Sequence, residues 1–258
     1  MHGIGGGAWS WSPQALALAR EYRCYLWEAR GHGAAAPAAG VTLSDCYQDG
    51  REALDLILAA HGAPPVVAAH SMGGLVAMAL GADYPGDVAG LFLLDPVYAP
   101  GGPPRSMTAF ATATRAVLTA LASALPRDGT LARTISRAFF RAAFTDRTAM
   151  ERAWKEQRDQ PIVEFPAMFI EVLDGGFTPR AFARELRIPA LLLEGSNARR
   201  RPRFPGLVND LRRALGDRFR YEVVEGGHYL QLDRPELVTR LLREFVAATL
   251  PAARDVPA

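Results

Sequence analysis

The chain has 258 residues, 49% of them hydrophobic and 22% charged, with a formal net charge of +2. That is the composition of an ordinary globular protein large enough for one domain with an insertion. The charge is too small to argue for nucleic acid or an anionic membrane as partner. Two cysteines, Cys24 and Cys46, make neither a disulfide framework nor a metal-ligand spacing. There is no basic-then-apolar leader at the N-terminus and no uncharged apolar run of spanning length, so the expected compartment is the cytoplasm.

Short apolar strands alternate with helical patterns, which predicts an α/β fold with a mostly parallel sheet flanked by helices. Tyr22 to Trp27 reads as a strand ended by the turn Arg30-Gly31-His32-Gly33. Ser44 or Asp45 is placed to cap a helix running to His61, which Gly62-Ala63-Pro64-Pro65 breaks. Val66 to Ala69 is a short buried strand, Gly74 to Tyr84 is helical until Pro85, and Leu91 to Leu94 is the next strand. From about residue 98 to 176 convincing strands cease. Helical stretches such as Ala109 to Leu125 and Leu131 to Phe144 replace them. Strand Ala190 to Leu193, a helix around Leu207 to Leu215 and strand Arg220 to Val224 then resume the alternation. Asp233, three residues before Glu236, is placed to cap a last helix. The expected organisation is a core of residues 1–97 and 177–250, a helical lid insertion at 98–176 and a flexible tail at 251–258.

The segment Ala69-His70-Ser71-Met72-Gly73-Gly74 lies between a strand and a helix. A tight strand-to-helix turn needs small residues two places either side of its centre. It exposes the central hydroxyl and turns the next N–H toward a helix N-terminus, where negative charge is favoured. Ser71 is therefore the candidate nucleophile, and a helix-capping serine is the bland alternative. On these residues the chain resembles the α/β-hydrolase family. His2-Gly3-Ile4-Gly5-Gly6 looks like its oxyanion loop, Arg30-Gly31-His32-Gly33 like its Arg-Gly-His-Gly turn, and Gly227-His228 like its catalytic histidine site.

The resemblance implies a serine hydrolase with Ser71 as nucleophile, His228 as general base and the Met72 and Ile4 N–H groups as oxyanion hole. It implies a small-molecule, apolar ester-type substrate, no metal and no cofactor. His228 follows a strand at the edge where ligands gather in open α/β sheets, and an imidazole suits a proton shuttle. His2, His32, His61 and His70 read better as structural histidines.

Two departures from the family stand out. Where its acid normally lies the chain has Gly195-Ser196-Asn197-Ala198, with alanine in place of aspartate. Asp95, ending the preceding strand as some lipases and dehalogenases of this fold have it, is the first candidate acid. Glu194 is second, and Asn197, able only to orient the imidazole, is third. In addition, the strand that the family runs into the oxyanion loop is not found before His2, and the N-terminal strands of the family are apparently missing. Lid aromatics (Phe139, Phe140, Phe144, Trp154, Phe165, Phe169), Met168, and Trp9 and Trp11 could border a pocket but read first as core. Arg199 to Arg203 reads first as a solvated loop. The alternatives are a non-catalytic or weakly active binding protein of this fold and a cofactor-free haloperoxidase-like enzyme. Nothing in the sequence speaks to oligomeric state.

Overall fold

The computed structural model describes residues 1–35, 41–96, 130–157, 177, 179–196 and 205–250. Four strands, β1 (Val66–His70), β2 (Gly90–Leu94), β3 (Ala190–Gly195) and β4 (Phe219–Val224), form one sheet in the order β1-β2-β3-β4. All three pairings are parallel, with His70 opposite Leu94 and Leu94 opposite Leu193. The helices are α1 (Ser12–Leu18), α2 (Leu43–His61), α3 (Met72–Asp83), α4 (Thr130–Ala143) and α5 (Arg147–Gln157). They continue with α6 (Pro179–Glu185), α7 (Pro205–Leu215), α8 (Leu230–Asp233) and α9 (Pro235–Thr249).

Alternation along each strand divides the core into two layers, because successive side chains point to opposite faces. Val67, Ala69, Leu91, Leu93, Ala190 and Leu192 pack with α2, α3, α6 and α7. Phe92, Leu94, Leu191, Leu193 and Val224 pack with α1, α8 and α9. Helix α3 is apolar all round and buried from Met72 to Gly81, as a helix enclosed on every side must be. A third cluster joins Phe140, Phe144 and Met150 of the α4–α5 region to Tyr229. No helix among the described residues is long and apolar enough to cross a membrane.

The four expected strands after residue 60 are present, each within two residues of its anticipated ends. The segment Tyr22 to Trp27 is not a strand. The outer edge of β1 is met instead by Met1, whose amine donates to Ala68 C=O at 2.6 Å while His70 N–H donates to Met1 C=O at 3.0 Å. Residues 23–26 are exposed, and Trp27 stacks on His2 with ring centroids 5.5 Å apart. Helix α2 is capped not by Ser44 or Asp45 but by Thr42. Its hydroxyl accepts from Asp45 N–H, and the Asp45 carboxylate accepts from Thr42 N–H. Asp233 does not cap α9. Pro235 opens that helix, where no N–H partner is needed, and the Asp233 carboxylate is engaged elsewhere. Of the expected lid only α4 and α5 are described. The predicted helix Ala109 to Leu125, the aromatics Phe165 and Phe169, Met168, Asn197, Arg199 to Arg203 and the tail all lie outside the described residues.

Leu75, fully buried in α3, and Leu56, 72% exposed on α2, provide a test of this layering. Leu75→Ala is expected to destabilise by about 2–5 kcal/mol and Leu56→Ala by no more than about 0.5 kcal/mol in chemical denaturation.

Candidate active site

Parallel strands of matched register deliver the residues that follow them to one edge of the sheet. The ladder continues one residue beyond the strands: Ser71 N–H donates to Leu94 C=O at 3.0 Å, and Asp95 N–H to Leu193 C=O at 2.8 Å. Both residues adopt positive φ, 51° at Ser71 and 41° at Asp95. Such conformations cost energy in residues other than glycine and persist where the surroundings over-determine them. At Ser71 the turn is tight enough that a Cβ on Gly73 would lie 2.6 Å from His2 C=O, so that position requires glycine.

The three chief candidate residues come together. His228 Nε2 lies 2.9 Å from Ser71 Oγ, and its Nδ1 lies 2.5 Å from Asp95 Oδ2. A carboxylate only accepts, so Nδ1 carries the proton and Nε2 is the acceptor for the Ser71 hydroxyl. Asp95 is 2% exposed and the His228 side chain 16%, which leaves the imidazole reachable and the carboxylate enclosed. The second-choice acid, Glu194, instead accepts from Tyr221 Oη at 2.9 Å. Met72 is the first residue of α3, and neither its N–H nor that of Ile4 has a hydrogen-bond partner among the described residues.

Three other histidines brace this centre. His70 Nε2–H donates to His228 C=O at 2.8 Å, and its ring packs 4.6 Å from that of His228. His2 and His32 form a reciprocal clasp between the glycine-rich loop and the Arg30–Gly33 turn. Ala29 N–H donates to His2 Nε2 and Gly5 N–H to His32 Nε2, each at 3.0 Å. Their Nδ1–H groups donate to Gly3 C=O and Arg30 C=O. Each imidazole thus accepts a backbone N–H, which it does only while neutral. Burial holds His2 and His32 below the usual imidazole pKa, and burial followed by the His228 charge does so for His70. Glu28 ties the same two segments, accepting from Ala8 N–H at 3.0 Å and Ala34 N–H at 2.9 Å.

The sequence reading assigned Glu28 no role, although an acidic residue between Trp27 and a glycine-rich turn is a usable signal. Trp11 is core, with its indole N–H donating to Met1 C=O, while Phe140 and Phe144 stack on Tyr229. Among the described residues no three His, Cys, Asp or Glu side chains gather in a way that could hold a metal ion. A groove of about 620 Å³ between α1 and residues 19–26 is lined by none of the site's side chains.

The sequence model of the Alpha/beta hydrolase family matches residues 1–241. The chain belongs to that family. Solved α/β hydrolases of the same fold include a thermophilic esterase from Thermogutta terrifontis, with 21% identity and a TM-score of 0.75, covering 96% of this chain and 88% of the esterase. An enol-lactonase from Burkholderia xenovorans also has 21% identity, with a TM-score of 0.73 and coverage of 95% and 88%. An esterase from Exiguobacterium antarcticum has 18% identity, a TM-score of 0.72 and coverage of 95% and 90%. No curated protein sequence matches the chain. At these identities the likeness to the solved structures is one of fold.

The buried neutral histidines of this α/β hydrolase predict a pH dependence of stability. Their folded pKa values are depressed, so below the unfolded value of about 6.5 the unfolded chain binds more protons. Stability is therefore complete above that pH and falls below it, by about 1.4 kcal/mol per pH unit for each group. Denaturation from pH 7.5 to 5.5 is expected to show stability level above about pH 7 and falling with a steepening slope below about pH 6.5, and His32→Gln, whose amide oxygen can accept from Gly5, a smaller loss.

Proposed function

We propose that the protein is a serine hydrolase that cleaves a carboxylic ester or a related acyl bond (thioester, lactone or activated C–C) of a small molecule. The observation that carries this reading is the unbroken chain from Ser71 Oγ through the His228 ring to the Asp95 carboxylate, with Ser71 at a strained turn before a helix N-terminus.

In this reading Ser71 Oγ attacks the acyl carbon while its proton passes to His228 Nε2. Asp95 holds the imidazole in the required tautomer and stabilises the imidazolium. Charge on the tetrahedral oxygen is met by the N–H groups of Met72 and Ile4, each such donor worth about 10²–10³ in rate. Collapse passes the proton from His228 to the leaving group and leaves an acyl-Ser71 ester. Water, deprotonated by His228, then releases the acid. The clasp of His2 and His32 supports this role by fixing the peptides on either side of Ile4. A non-catalytic binding role draws its motive from the missing acid and the missing N-terminal strand, and Asp95 beside His228 speaks against the first of these.

Ser71→Ala is expected to lower ester turnover by about 10⁶. Retention of most activity would reject the mechanism. Asp95→Asn is expected to cost about 10²–10⁴ in kcat with little change in stability, and Glu194→Gln much less. Steady-state kinetics on p-nitrophenyl esters of short and long acyl chains measure both and report the acyl-length preference.

A further inference from the structure

The mounting of His228 is built largely by a carboxylate that touches neither the serine nor the imidazole. Asp233 is 4% exposed and collects four donors. Its Oδ2 accepts from Gly227 N–H at 2.6 Å, Thr145 N–H at 3.0 Å and Thr145 Oγ1–H at 2.9 Å, and its Oδ1 from Asp146 N–H at 3.1 Å. One of these donors is the N–H of Gly227, the residue immediately before His228. The other three belong to the turn between α4 and α5. The same turn region reaches the base directly, since His228 N–H donates to Ala143 C=O at 2.6 Å.

The fit is close. A Cβ on Gly227 would lie 2.3 Å from Ala143 C=O and 2.8 Å from Asp233 Oδ2, so Gly227 is required for the approach of the two segments. On its other side, His228 C=O is taken by His70. The two peptides flanking the imidazole are thus bonded to α4 and to the residue before Ser71, the next peptide upstream is bonded to Asp233, and Tyr229 is stacked on Phe144 at 4.8 Å.

We propose that Asp233 is a positioning residue for the base: it draws the Gly227 peptide and the α4–α5 turn onto one carboxylate and so fixes the backbone from which His228 reaches Ser71 and Asp95. This rests on the serine-hydrolase reading. The α4–α5 turn is then a bracket for the catalytic histidine, and displacement of this turn would disturb the chemistry as well as substrate access. Every partner of the Asp233 carboxylate is a donor, so an amide there turns its NH₂ against an N–H and leaves at least one of these donors unpaired. A carboxylate on a longer stem keeps the acceptor set.

The test compares the full chain with Asp233→Asn, Asp233→Glu and Thr145→Val. It measures kcat and KM on p-nitrophenyl butyrate per site titrated with a fluorophosphonate, together with amide hydrogen exchange. Asp233→Asn is expected to lower kcat per titrated site by about 10–100-fold, with KM within a few-fold. Exchange should quicken at Gly227, Thr145 and Asp146 together while β1–β4 stay protected. Asp233→Glu should recover most of the rate. Thr145→Val, which removes one donor from an exposed residue, should lower kcat severalfold and keeps the test decisive if Asp233→Asn does not fold. Labelling that persists with kcat per site within twofold in Asp233→Asn and Thr145→Val overturns this proposal alone. Failure of the unsubstituted protein to take up the fluorophosphonate overturns the serine reading and this proposal with it.

Discussion

A parallel sheet whose strands end at one level is the constraint on which the rest of the structure depends. His70, Leu94 and Leu193 are in register, so the residues after them are forced to a common edge although they are far apart in sequence. Ser71 N–H and Asp95 N–H extend the ladder by one rung, and these bonds help to hold both residues at positive φ. Strain of this kind costs of order 1–3 kcal/mol per residue. It is sustained here because α3 behind Ser71 is buried on every side and cannot rotate to relieve it.

The loops at that edge are held by polar groups that work only in one protonation state. His2, His32 and His70 are buried and bonded to backbone; His2 and His32 accept an N–H and must stay neutral to do so, and burial disfavours the charged form of all three. His228 differs from them: its side chain is partly open to solvent, and its ring is bonded to the side chains of Asp95 and Ser71. Four imidazoles at one edge thus divide into three structural groups and one proposed to do the chemistry, and burial makes the division. Asp233 and Glu28 extend the same logic with carboxylates, each gathering backbone N–H groups from two segments.

Most of the sheet was legible in the sequence because β1 to β3 are short apolar runs bounded by Gly, Pro and Asp, and burial of β2 and β3 on both faces leaves little room for another reading. Tyr22 to Trp27 has a similar local character but has no partner strand among the described residues, a property of the tertiary structure that no local pattern contains. The strand-to-helix turn was legible from Ser71 and Gly73 in their setting. Asp95 could be named as a candidate acid, but choosing it over Glu194 needed the direction of each carboxylate: the two residues stand on the same rung, and only Asp95 has left its strand, at positive φ, while Glu194 stays in β3 and meets Tyr221. Asp233 was misassigned for a related reason. Its spacing to Glu236 imitates a capping box, whereas its partners lie 6, 87 and 88 residues away.

The central claim is that Ser71 is the group that becomes covalently bonded to substrate. A crystal structure of the protein after reaction with a fluorophosphonate tests it most directly. The account predicts phosphorus bonded to Ser71 Oγ, the phosphoryl oxygen within hydrogen-bond distance of the Met72 and Ile4 N–H groups, and His228 still paired with Asp95. An unmodified Ser71, or an adduct on another residue, would contradict it.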